Sequence, residues 1–344
     1  MMLLKKFSQE FQKISRLQIS ANNLLNWLMQ KKSSALNSEP DFVMDGFRAE
    51  LFNAYNLYLK GERHKTIVLK KFFVPRNIKF RSIQNLARKF TKNSKYFMDV
   101  IVHGSVATSE VVDNWSDVDI LAIIKKDIFE NQAKFLSLRK FLISAEYEIY
   151  KFDPYQHHGI QFISEDDLRF YPEYFLPIEV LKHGKTLIKN SKIDFFIRNS
   201  TIEKEQRFYS IARLLYEAVE TGALKHHAQN GVYLKDNFEN KKDNFYQLKY
   251  FMSLVLLLPS LFLELVDKSV YKKHSFDKIK NYFNKEDLEI VNKCEEARRL
   301  FSNLKIKKNE IPKGVINILG NNYFKRATRL VDKMVKRHKN IKHP

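Results

Sequence analysis

The sequence predicts an α+β protein in which a small mixed β-sheet is flanked by N-terminal helices and a C-terminal helical bundle. Three observations carry that prediction. Apolar residues recur at spacings of three and four through about residue 75, and again beyond about residue 193, the period of helices with one buried face. Between these regions lie two short apolar runs, "YFMDVIV" and "DILAII", of strand length and almost unbroken apolarity, as expected of strands covered on both faces. The chain has 344 residues, enough for two or three domains with a sizeable core. The expected division is 1–78, an N-terminal helical region; 79–192, an α/β domain; and 193–344, a helical domain.

Taken in order, "FQKISRLQISANNLLNWLM" and "DFVMDGFRAELFNAYNLYL" read as two helices separated by the loop "SSALNSEPD", and Pro75 closes this region. "SIQNLARKF" reads as a short helix, followed by the strand ending at His103-Gly104. "DILAII" is the second strand. The stretch "IFENQAKFLSLRKFLISAEY" carries helical spacing through Phe135, Leu138, Phe141, Leu142 and Ala145. "YKFDPYQHHGIQFIS" reads as a turn at Asp153-Pro154 leading into a third strand, and "GKTLIK" as a short edge strand. Beyond residue 193, Ser200 with Glu203 suits a capping box, and Asn284 suits the cap of "KEDLEIVNKCEEARRLF". A basic helix, "YFKRATRLVDKMVKRH", ends the pattern.

Composition limits the functional classes. A single cysteine, Cys294, excludes an internal disulfide framework and a multi-cysteine zinc site, which suits a reducing, cytoplasmic setting. The first residues scatter charges through their apolar positions and lack the unbroken core of a signal peptide. Residues 250–266, "YFMSLVLLLPSLFLELV", are slightly short of a span and carry Pro259 and Glu264. A buried central helix, kinked or restarted at the proline, is the expectation, with no membrane partner. The net charge of +21 suits phosphate-bearing partners. The lysines are spread along the whole chain, however, so general lysine enrichment accounts for the charge equally well.

The stretch "HGSVATSEVVDNWSDVDILAII", residues 103–124, concentrates the chemistry. Strand alternation puts Asp117 and Asp119 on one face and Val118 and Ile120 on the other. Two adjacent carboxylates repel unless a cation lies between them, and oxygen ligands suit Mg²⁺ or Mn²⁺. Upstream, Gly104 lets a phosphate approach the backbone and Ser105 adds a hydroxyl donor. A phosphate cradle joined to a metal-binding pair is what metal-assisted phosphoryl or nucleotidyl transfer requires.

This stretch resembles the signature of the DNA-polymerase-β-like nucleotidyltransferase superfamily, a Gly-Ser followed by Asp-x-Asp, over about a third of the chain. The resemblance implies that Gly104 and Ser105 bind the triphosphate of an NTP, ATP first among them, and that Asp117 and Asp119 are catalytic and hold Mg²⁺ (or Mn²⁺). It implies transfer of a nucleoside monophosphate to an acceptor hydroxyl on RNA, protein or a small molecule, with a helical domain following the catalytic one. The family's third carboxylate is not evident: its slot in "HHGIQFIS" holds Gln161. His158, then Asp153, are the candidates to take its place, with Glu165 also near in sequence. The missing carboxylate leaves an alternative, a catalytically degenerate member that binds nucleotide, nucleic acid or a partner of toxin–antitoxin type.

Other signals dissolve on inspection. "HGKTLIK" contains Gly-Lys-Thr, but Glu179 stands where a P-loop needs its first glycine. His226-His227 is expected at a helix end, where a cation needs no further role.

Overall fold

Strand β2 (Phe97–His103) and strand β3 (Asp119–Ile124) pair antiparallel from Phe97↔Ile124 to His103↔Asp119, and their apolar runs place almost every residue in the interior. The structure, a computed structural model, describes residues 63–303 and 313–342, apart from 154–155, 157–158, 174–175, 199–200, 222, 228–232, 238–244 and 267–268. The two N-terminal helices expected from the sequence, His158 and the Ser200 cap lie outside the described residues.

The chain divides into two compact units. The smaller comprises Met1–Lys65, Asp166–Pro172 and Asp194–Ile202; the larger comprises Thr66–Glu165, Glu173–Ile193 and Glu203–Pro344. In the smaller unit, β5 (Tyr171–Pro172) runs parallel to the end of β7 (Ser191–Arg198), and the buried Tyr171 ring meets Phe195 edge-on at 5.0 Å.

The larger unit contains a four-stranded sheet in the order β4-β3-β2-β6, where β4 is Gln161–Ser164 and β6 is Lys185–Thr186. β4 runs parallel to β3, whereas β6 is antiparallel to β2, so the sheet is mixed, as the sequence predicts. One face carries Val100, Val102, Ile120, Ala122 and Ile124. It packs against α1 (Arg81–Lys92) through Ile83, Leu86 and Phe90, and against α3 (Gln132–Phe152) through Leu138, Ala145 and Ile149. α3 runs to Phe152, beyond the predicted end, and Phe135 faces solvent rather than the core.

A second core belongs to the helices α4 (Thr201–Thr221), α5 (Phe245–Leu265), α7 (Glu289–Leu300), α8 (Lys313–Leu319) and α9 (Tyr323–Lys342), with the short α6 (Lys272–Lys278) beside them. α5 runs unbroken past Pro259. By length and composition Leu248–Leu265 could cross a membrane, but 83% of it is buried inside the protein. Its buried Glu264 is matched by Arg207 of α4, whose Nη1 donates to both carboxylate oxygens at 2.8 Å. Asn284 Oδ1 accepts from Asp287 N–H at 2.8 Å, capping the turn that leads into α7.

Three segments depart from the sequence expectations. Residues 63–69 form strand β1 (Arg63–Leu69), not helix, with Ile67 and Leu69 buried and Thr66 and Val68 exposed. Across residue 193, where helical texture was expected, β7 buries Ile193, Phe195 and Ile197 on one side. His226 and His227 lie in a hairpin, β8 (Ala223–His227) with β9 (Tyr233–Asn237), rather than at a helix end.

Candidate functional site

Immediately after β2 the chain turns at Gly104, whose φ of +66° is a left-handed conformation that side chains disfavour. The short helix α2 (Gly104–Thr108) follows and ends at Ser109, also left-handed. The connection back to β3 is fastened at several points. Ser116 Oγ accepts from Val112 N–H at 2.8 Å, and Ser116 N–H donates to Val112 O at 2.9 Å. Trp115 belongs to the helical core, its ring edge-on to Phe301 at 5.0 Å, while Asn114 Nδ2 donates to Phe301 O at 3.1 Å. An indole buried in the helical core thus fixes the segment that delivers Asp117 and Asp119.

Around the Asp pair the burial alternates as strand geometry dictates: Val118 and Ile120 are sealed in the sheet core, and Asp117 and Asp119 are half-buried. Antiparallel register sets His103 opposite Asp119, so the Gly104 turn lies directly at Asp119. A Cβ on Gly104 would overlap Asp119 Oδ2 and lie 3.2 Å from its Cγ. Glycine is therefore the residue that lets this carboxylate pack directly against the turn. Two half-buried carboxylates on one strand face fit a hard divalent cation. Among the described residues there is no group of three or more His, Cys, Asp or Glu side chains that could hold a metal by themselves. Phosphate and water oxygens would have to complete the shell, as is usual for Mg²⁺.

The helical bundle supplies neighbours that sequence reasoning did not identify. The Lys272 ammonium interacts electrostatically with both Asp117 and Asp119; burial and then Arg298 push its pKa below the ordinary lysine value, against the pull of the two aspartates. Burial raises the Tyr271 phenol, and Glu110 and Asp119 add to the rise while the Thr108 hydroxyl, 3.5 Å away, opposes it. The Tyr271 ring contacts His183 at 4.5 Å and His274 at 6.2 Å. Lys273 pairs with Glu110. The one sequence signal was the cluster "YKKH" at 271–274, indistinguishable by itself among 60 lysines and arginines.

The predicted site residues are brought together unequally. Gly104 packs against Asp119, Ser105 follows it in the turn, and Asp117 and Asp119 both act on Lys272. Asp153 is 5% exposed, and its carboxylate meets Lys249 Nζ of α5 in a buried ion pair. Gln161 pairs with Leu121 in the β3–β4 ladder, so alternation sets it on the Asp119 face. Its buried Oε1 has no hydrogen-bond partner among the described residues. Glu165 lies at the opposite end of β3 and accepts from Lys126 N–H at 3.3 Å. In comparisons with known proteins, no family model, no curated protein and no solved structure matches the chain.

Proposed function

We propose that the protein is a nucleotidyltransferase that moves a nucleoside monophosphate from an Mg²⁺-bound NTP, ATP first, to an acceptor hydroxyl, releasing pyrophosphate. The observation that carries this reading is the packing of the Gly104 turn against Asp119, with Asp117 one alternate position away. In this reading Gly104 admits the triphosphate to the backbone and the Ser105 hydroxyl donates to a phosphate oxygen. Asp117 and Asp119 hold the divalent cation, which when bound supplies neutralising charge for the phosphates. The Lys272 side chain interacts electrostatically with the same carboxylates. The net charge of +21 favours an anionic acceptor such as RNA over a cationic small molecule.

A second reading, nucleotide or partner binding without turnover, draws on two observations. Asp153 is engaged by Lys249, and the neutral Gln161 stands on the strand beside β3. Labelled ATP with Mg²⁺ and a panel of RNA and protein acceptors separates the two. Label transfer abolished by Asp117→Asn supports the enzyme; nucleotide binding without transfer supports the binder. If Asp117→Asn and Asp119→Asn leave metal and nucleotide binding unchanged, both readings of the site are wrong.

A further inference from the structure

The single residue between the two aspartates is held by one side chain, the amide of Gln156. Its Oε1 accepts from Val118 N–H at 3.0 Å, and its Nε2 donates to Val118 C=O at 2.9 Å. The donor and acceptor on Val118 fix which end of the amide is which, so the orientation is not arbitrary. Returning both bonds to one residue is what a neighbouring strand does in an antiparallel ladder. Val118 directly precedes Asp119, the first residue of β3, so the Gln156 amide holds the backbone where the strand begins.

The side-chain directions of Asp117 and Asp119 follow from the backbone dihedrals around Val118. Gln156 is itself buried, 4% exposed, and its N–H donates to Asp153 O at 3.2 Å. Asp153 is in turn held by Lys249, with side-chain exposures of 5% and 2%. A chain of buried polar contacts therefore runs from α5 through Lys249, Asp153 and Gln156 to the backbone between the carboxylates.

We infer that Gln156 is a positioning residue: it sets the relative direction of Asp117 and Asp119 for a divalent cation, with the Lys249–Asp153 pair as its anchor. This rests on the proposed metal-binding reading of the aspartates. It gives Asp153 a role one step behind the site rather than in it.

The test uses the full chain and Mn²⁺ as the probe, followed by electron paramagnetic resonance titration. Gln156→Met keeps side-chain length and bulk and removes both hydrogen bonds. Its Mn²⁺ affinity is expected to fall by about tenfold or more, the range for groups that orient metal ligands. Binding of ATP without metal should stay at the wild-type level. Leu256→Ala, a core substitution in α5 that lowers stability without touching this network, should also keep wild-type Mn²⁺ affinity. Equal Mn²⁺ binding by Gln156→Met and wild type overturns the inference while leaving the site reading intact. An equal loss in Leu256→Ala overturns it too, since the effect would then be general destabilisation. A wild-type chain that binds no Mn²⁺ overturns the site reading and the inference together. If Gln156→Met does not fold, hydrogen exchange at the wild-type Val118 amide decides: strong protection is expected, and exchange at the rate of an open loop overturns the inference.

Discussion

The sheet of the larger unit presents carboxylates on the same face at two places and treats them in opposite ways. On β2, Asp99 is 1% exposed and surrounded by donors: Thr186 Oγ1 at 2.5 Å, Val100 N–H at 2.7 Å and the Ser191 hydroxyl. Four residues further along the same strand, His103 lies opposite Asp119, which is half-buried, fronted by a glycine turn and influenced by a lysine from the helical bundle. The first carboxylate is built into the sheet, where it ties β2 to β6 and to the start of β7. The second packs against a turn that a side chain at Gly104 would push away. Residue type is the same; depth of burial and the left-handed glycine turn distinguish the two positions.

The largest effect expected from breaking this contrast is on metal affinity. Asp117→Asn or Asp119→Asn should weaken Mn²⁺ binding by more than the roughly 100-fold upper end seen for outer partners of metal ligands, whereas Asp99→Asn should leave it unchanged. Calorimetric titration of the three variants checks this.

Next comes the anchor behind the site. Lys249→Met removes the ammonium from the buried Asp153 carboxylate and should cost about 3–5 kcal/mol of stability. Adding Asp153→Asn should recover much of the loss. Urea denaturation of the single and double variants measures both effects.

A smaller change is expected at the turn. Gly104→Ala imposes a left-handed conformation on a residue with a side chain, at a cost of about 1–2 kcal/mol, before its overlap with Asp119 is counted. Its thermal midpoint should fall modestly, and its nucleotide and Mn²⁺ binding should fall more. Unaltered Mn²⁺ binding would show that the packing of Gly104 against Asp119 is not part of the cation site.

The smallest effect concerns Asp99. Burial, partly offset by its three hydrogen bonds, raises its pKa above the ordinary 3.8. Folding therefore favours the protonated form. That contribution is complete below the unfolded value and is lost as pH rises through the folded one. Wild-type stability should accordingly decline relative to Asp99→Asn from acid towards neutral pH, as followed by denaturation across that range. A constant difference would contradict the assignment.

The local frame of the candidate site was legible in the sequence because its elements are local and strongly patterned. The runs ending at His103 and beginning at Asp119 are apolar almost throughout, and Gly104 and the alternating aspartates carry their geometry with them. What escaped depends on distant segments. Lys272 and Tyr271 reach the site from the bundle, some 150 residues away, and no local period marks them. Gln156 reads as one polar residue in a turn; its meaning comes from lying beside Val118. Trp115, in the middle of the motif, serves the helical core rather than the chemistry. The strand alternation of Ile193, Phe195 and Ile197 was present but stood beside a helical pattern and was absorbed into it. The β8–β9 hairpin is rich in charged and histidine residues, which give a strand little apolar signature.

The central claim is that Asp117 and Asp119 serve transfer of a nucleoside monophosphate, and the position of a phosphate label tests it most directly. Parallel reactions with α-labelled and γ-labelled ATP, Mg²⁺ and the acceptor panel should move the α-label to the acceptor and release the γ-label as pyrophosphate. Both events should disappear in Asp117→Asn. Transfer of the γ-label to the acceptor, or α-label transfer that survives in Asp117→Asn, would contradict the account.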